Sequence, residues 1–115
     1  MLKVLIIDDE VNVRQGIKII VPWAESGFEI CGESGDALEG EDMIMNLQPD
    51  IVLIDIRMPG KLGVDIIRDA TTHGFKGKFI VISGYSNFEY AKTTMKYGVK
   101  SYILKPIDED ELINT

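Results

Sequence analysis

The chain of 115 residues carries one cysteine, one histidine and one tryptophan, and its 12 Lys and Arg are outnumbered by 19 Asp and Glu. Each shortage excludes something. Cys31 has no partner for an intrachain disulfide, and its place in Phe28-Glu29-Ile30-Cys31 reads as a reduced core thiol. His73 sits beside Gly74 in an expected surface loop, so no zinc set of His and Cys can be assembled. A formal charge of −7 argues against this domain gripping a phosphate backbone itself, because nucleic-acid binding rests on a Lys/Arg footprint. Long apolar runs are missing as well. The longest have four residues, against roughly 18 for a membrane span. The first strand pattern begins without the basic and apolar stretches of a secretion signal, so the expected location is the cytoplasm.

What is present is a repeat of short apolar runs and longer segments of helical period, the pattern of βα units on a parallel sheet. Strands are expected at Lys3-Ile7, Glu29-Glu33, Ile51-Ile54, Phe79-Ser83 and Ser101-Leu104. Most lack alternation, as strands covered on both faces do. Helices are expected at Asn12-Val21, Leu38-Leu47, Gly63-Thr72 and Asn87-Tyr97, with a fifth from about Asp108. Ile17, Ile20 and Val21 share a face of the first, and Ala91, Met95 and Val99 follow a similar spacing. Pro22, Gly35, Gln48-Pro49-Asp50, Pro59-Gly60, Gly74 and Gly98 fall where this scheme needs breaks. Trp23 reads as a packing anchor before a turn at Ser26-Gly27. The whole chain, 1–115, is one domain, and its last helix has begun only a short stripe at Leu112 and Ile113, as expected of a piece of a longer protein.

Chemistry concentrates where strands end. Val4-Leu5-Ile6-Ile7 runs into Asp8-Asp9-Glu10, and Ile51-Val52-Leu53-Ile54 into Asp55. Two carboxylates 4 Å apart repel by about 4 kcal/mol at an effective dielectric near 20, and a divalent metal relieves that cheaply. In open parallel sheets ligands bind beyond the carboxyl ends of the strands. There Asp8, Asp9 and Asp55 would meet Ser83 after the fourth strand and Lys105-Pro106 after the fifth. Hard oxygen ligands without His or Cys select Mg²⁺ or Mn²⁺, and Mg²⁺ characteristically engages a phosphate. Ser83 and Lys105 would neutralise phosphoryl oxygens, and Asp55 would be the nucleophile that forms an aspartyl phosphate. Glu10 and Glu89 read as acids in helical first turns, where the dipole favours them by about 0.3–1 kcal/mol.

These motifs resemble the receiver domain of two-component response regulators, the CheY-like superfamily. The resemblance rests on Asp8-Asp9-Glu10, Asp55-Ile56-Arg57-Met58-Pro59-Gly60, Ser83-Gly84 and Tyr102-Ile103-Leu104-Lys105-Pro106, in order along the whole chain. It implies a flavodoxin-like (βα)₅ α/β fold, a three-layer sandwich whose parallel sheet has the order 2-1-3-4-5. It implies that Asp55 accepts a phosphoryl group from a sensor histidine kinase and releases it slowly to water. Asp9, Asp55 and the backbone carbonyl of Arg57 would ligate Mg²⁺, with Asp8 holding a metal-bound water. Ser83 and Lys105 would bind the phosphoryl group, the Lys105-Pro106 bond would be cis, and Tyr102 would be the aromatic whose rotamer reports phosphorylation.

The stretch Ser83-Gly84-Tyr85-Ser86-Asn87-Phe88-Glu89-Tyr90-Ala91-Lys92 and the later Tyr97-Gly98-Val99 are similar to receivers fused to a C-terminal AraC-type helix-turn-helix domain. That implies a transcription regulator partnered by a sensor kinase, able to form a homodimer on phosphorylation. Two features depart from the commonest receiver pattern. Lys61-Leu62-Gly63 stands where many have Met-Asp-Gly, and Gly84 replaces a frequent alanine. Tyr85 and Arg57 would shield the acyl phosphate, so an altered rate of self-dephosphorylation is expected. The competing readings are weaker. A phosphatase with an aspartyl-phosphate intermediate wants a second acid two residues after the nucleophile, where this chain has Arg57. A nucleotide-binding domain wants a glycine cradle after the first strand. A pseudo-receiver serving only as an interaction module would not need the acids, Ser83 and Lys105 together.

Overall fold

A computed structural model of the chain describes residues 2–56, 58, 60–83 and 96–104, with 83 and 101–104 described by their backbone. Its described elements are β1 (Leu2–Ile7), α1 (Val11–Ile20), β2 (Phe28–Ser34), α2 (Ala37–Leu47), β3 (Ile51–Ile54), α3 (Gly63–Thr72), β4 (Lys78–Ser83) and β5 (Ser101–Leu104). All strand pairs are parallel and the order across the sheet is β2-β1-β3-β4-β5. This is the doubly wound arrangement expected from the sequence. The helices expected at Asn87-Tyr97 and from Asp108 lie outside the described residues, Lys96 and Tyr97 apart.

The sheet is covered on both faces because β3, Val4–Ile7 of β1 and Phe79–Ile82 of β4 are apolar at every position. Alternate residues of one strand point to opposite sides. Leu5 and Ile7 of β1 join Val52 and Ile54 of β3 beneath α2 and α3, where Ile44, Ile66 and Ile67 are fully buried. Val4 and Ile6 join Leu53, Ile80 and Ile82 on the other side, against Ile17 and Val21. Full burial of such side chains stabilises by roughly 1.5–3 kcal/mol each, so both layers hold the strand ends in place. Of the stripe read from the spacing, Ile17 of α1 and Val21 just after it are core, and Ile20 packs half-buried against them.

Local structure follows the breakers with three refinements. Gln48, in the Gln48-Pro49-Asp50 break, ends α2 in the left-handed region (φ 47°). Trp23 anchors its loop by donating from Nε1 to the Ile17 carbonyl at 3.0 Å and meets Phe28 edge-on, with ring centroids 6.2 Å apart. Cys31 is only half-buried. It sits where β2 carries one residue more than β1, Val4 pairing with Ile30 and Leu5 with Gly32, so a bulge on an edge strand turns it from the centre of the core.

Candidate functional site

Register decides where the acids meet. Ile7 of β1 is level with Ile54 of β3, so the residues that follow, Asp8 and Asp55, leave adjacent strands side by side. The Asp55 amide donates to the Ile7 carbonyl at 3.0 Å and the Asp8 amide to the Ser34 carbonyl at 3.0 Å, extending both ladders into the acidic edge. Asp8 is 2% exposed and Asp55 5%, whereas Asp9 and Glu10 are exposed. One carboxylate oxygen from each of Asp8, Asp9, Glu10 and Asp55 lies within 4.8 Å of the other three. Four oxygens so gathered, two of them at the buried floor and two at the mouth, suit a hard divalent cation approached from solvent.

Glu10 is therefore closer to the centre than its sequence reading suggests. It occupies the N-cap of α1 rather than the first turn. Its amide donates to Asp8 Oδ1 at 2.9 Å and its carbonyl accepts from Val13 and Arg14, which curls the β1–α1 turn over the acids. Of the other residues expected here, Ser83 closes β4 opposite Leu104, and Tyr102 on β5 pairs with Val81. The backbone thus brings Ser83 to the same edge of the sheet as Asp8 and Asp55. Arg57, Tyr85, Glu89, Lys105 and Pro106, and with them the expected cis bond, lie outside the described residues.

Two flanking networks had no sequence signal. On one side Arg14 of α1 donates from Nε to Glu33 Oε1 at 3.0 Å and from its terminal nitrogen to the Asp8 carbonyl at 2.6 Å. Lys18 pairs with the other Glu33 oxygen, and Lys18 and Arg14 together hold the Glu33 carboxyl below the usual range. On the other side Lys61 bridges Glu41 of α2 at 2.5 Å and Asp69 of α3 at 2.6 Å. Asp69 and Glu41 hold the Lys61 ammonium above its ordinary value, and Lys61, with Arg68, lowers Asp69. Asp36 caps α2, accepting from Leu38 and Glu39 amides at 2.8 and 3.1 Å, while buried Ser34 donates to Glu39 Oε1 at 2.7 Å. Aspartate followed three residues later by glutamate is a legible capping signal.

Residues 4–115 match the model of the response regulator receiver domain family. The chain belongs to that family. This receiver is 39% identical over its full length to the transcriptional regulatory protein YesN of Bacillus subtilis (strain 168), of which it covers 31%. It is likewise 39% identical over 112 residues, 97% of the chain, to the transcriptional regulatory protein HptR of Staphylococcus aureus (strain N315), of which it covers 44%. The receiver thus spans less than half the length of these curated relatives. Among solved structures it is similar to the receiver domain of AraT, a response regulator from Geobacillus stearothermophilus, with TM-score 0.90, 33% identity and coverage of 98% of this chain and 88% of that one. It is also similar to a CheX–CheY complex with BeF₃ and Mg²⁺ from Borrelia burgdorferi, with TM-score 0.89, 27% identity and coverage of 98% and 84%. The relatives make it a receiver of the kind found in transcriptional response regulators.

Proposed function

We propose that this receiver is a phosphorylation-dependent switch in which Asp55 accepts a phosphoryl group from a sensor histidine kinase with the help of Mg²⁺. The observation that carries the reading is the gathering of four carboxylate oxygens from Asp8, Asp9, Glu10 and Asp55 at the carboxyl edge of the sheet. The donor set fits the ion, being all oxygen and only partly enclosed. Asp9, Asp55 and the Arg57 carbonyl would hold it, with Asp8 orienting a bound water; Mn²⁺ is the alternative occupant. When bound, Mg²⁺ supplies charge neutralisation at the phosphoryl oxygens.

Asp55 attacks the phosphorus of a phosphohistidine in line. An O–P bond forms on the Asp55 carboxylate as the N–P bond breaks, and the bond pair leaves on the imidazole nitrogen. Ser83 and Lys105 would then bind the new phosphoryl oxygens, and Tyr102 would change rotamer. The surface built around β5 shifts between two populations that differ in affinity for a partner. Water later removes the phosphoryl group slowly, which makes the domain a switch more than a turnover enzyme.

The naming of the relatives as transcriptional regulators supports an output in gene control. In this reading the receiver, in the cytoplasm, commands an AraC-type DNA-binding domain C-terminal to it and pairs with a second copy when phosphorylated. The presence of BeF₃ and Mg²⁺ with the Borrelia burgdorferi CheY supports a metal-and-phosphoryl pocket on this fold. The test is incubation with acetyl phosphate and Mg²⁺, followed by intact mass. A gain of one phosphoryl group that requires Mg²⁺ is expected, and no gain would leave an interaction module that has lost phosphorylation.

A further inference from the structure

Arg14 links β2 to the turn that carries the acids. Its terminal nitrogen reaches 2.6 Å from the Asp8 carbonyl, while Nε stays 3.0 Å from Glu33 Oε1. The arginine side chain is 16% exposed and Glu33 28%, so the bridge is shielded from solvent competition.

Room for it has been left by a glycine. A β-carbon on Gly35 would lie 2.7 Å from the arginine's terminal nitrogen and 3.5 Å from the Asp8 carbonyl oxygen. The β2–α2 turn therefore opens where the guanidinium enters. The Asp8 residue is then fixed at both ends: its amide donates to the Ser34 carbonyl at 3.0 Å, and its carbonyl accepts from Arg14. Its side chain in turn accepts from the Glu10 amide.

We infer that Arg14 is a positioning residue for the divalent-cation site, holding the β1–α1 turn so that the Asp8, Asp9 and Glu10 carboxylates stay grouped against Asp55. This rests on the reading of the acidic edge as a metal site. The effect has a sign that separates it from simple electrostatics. A cation near the acids repels Mg²⁺, so loss of Arg14 acting through charge alone would tighten Mg²⁺ binding. Loss of Arg14 as a brace lets the carboxylates spread and weakens it. Outer partners that orient metal ligands typically matter by a factor of ten or more.

Lys18 supplies the control. It lies on the same helix, carries the same charge and binds the same Glu33 carboxylate, its ammonium pairing with Oε2 where Arg14 takes Oε1. The experiment is calorimetric titration of the chain with MgCl₂ in the absence of a phosphodonor, for the native sequence, Arg14→Met, Arg14→Lys, Lys18→Met and Gly35→Ala, with melting curves in EDTA. Arg14→Met is expected to bind Mg²⁺ about tenfold more weakly. Arg14→Lys keeps the charge but lacks the planar fork that spans both acceptors, so it too binds more weakly. Gly35→Ala keeps the arginine but displaces it, and moves in the same direction. Lys18→Met binds as tightly as the native chain or more so, whatever its melting temperature.

Unchanged or tighter binding in Arg14→Met, or native affinity in Arg14→Lys, would overturn the inference while leaving the metal site standing. Absence of Mg²⁺ binding by the native chain would overturn both. A loss of affinity in Lys18→Met equal to that in Arg14→Met would show that any loosening of α1 from Glu33 weakens the site and would overturn the specific positioning role of Arg14 alone.

Discussion

A β-carbon on Gly63 would lie 2.3 Å from the carbonyl oxygen of Asp55. The N-terminus of α3 is pressed directly on the backbone that carries the proposed phosphoacceptor, and the Gly63 amide donates to the Ile56 carbonyl at 2.6 Å. Contact with rigid backbone cannot be relieved by rotating a side chain. Gly63→Ala should therefore cost about 1–3 kcal/mol, as overpacking does, and displace Asp55. A lower urea midpoint together with slower phosphorylation by acetyl phosphate is the expected pair of results.

Lys61 ties α2 to α3 across the loop that leads from Asp55 to Gly63. Its raised pKa means that its contribution to stability is complete below the unfolded value near 10.5 and is lost as pH rises through the folded value. The lowered pKa of Asp69 works in the opposite sense: its contribution is present above 3.8 and lost as pH falls through the folded value. Lys61→Met should lower the melting temperature by a few degrees at neutral pH. Melting curves across pH should show both limbs flattened, with the difference from the native chain shrinking at high salt.

Glu33 sits between Lys18 and Arg14, and its depressed pKa places its contribution above 4.5. As pH falls below that value through the folded pKa, the carboxylate is protonated and the contribution disappears. Glu33→Gln should therefore be less stable than the native chain at pH 7 and converge on it in acid. Denaturant midpoints measured from pH 7 down to pH 3 check this.

If the acidic cluster holds a divalent cation, binding should stabilise the fold. Mg²⁺ at 100 times its dissociation constant should stabilise the chain by about 2.7 kcal/mol, and EDTA should reverse the gain. Asp9 lies at the exposed mouth of the cluster, so Asp9→Asn should melt a few degrees higher than the native chain in EDTA yet gain far less from Mg²⁺. Crossing of the two melting temperatures on adding Mg²⁺ is the signature.

Much of this was legible in the residues. The runs of Ile, Val and Leu are apolar at every position, which a parallel sheet covered on both faces requires, and their polar successors mark its carboxyl edge. Asp8 and Asp55 could be paired because level strands bring their following residues together. Arg14, Glu33 and Lys18 could not be, because their partnership depends on how α1 is rotated against β2, and no periodicity carries that. Cys31 was misplaced for a similar reason, since an alternating pattern does not announce a bulge. Glu10 was assigned to the dipole of α1, but the tight turn at the N-cap brings its carboxylate into the acid cluster. Asp36 followed three residues later by Glu39 carries the capping signal of α2 in the sequence itself. The roles proposed for Ser83, Tyr102, Lys105 and the Arg57 carbonyl rest on the family pattern.

The central claim is that Asp55 is the phosphoacceptor, and borohydride trapping tests it most directly. Sodium borohydride reduces an aspartyl phosphate to homoserine, so the chain treated with acetyl phosphate and Mg²⁺, reduced and sequenced by mass spectrometry should carry homoserine at position 55 and nowhere else. Homoserine at Asp8 or Asp9, or a phosphoryl group that persists in Asp55→Asn, would contradict the account.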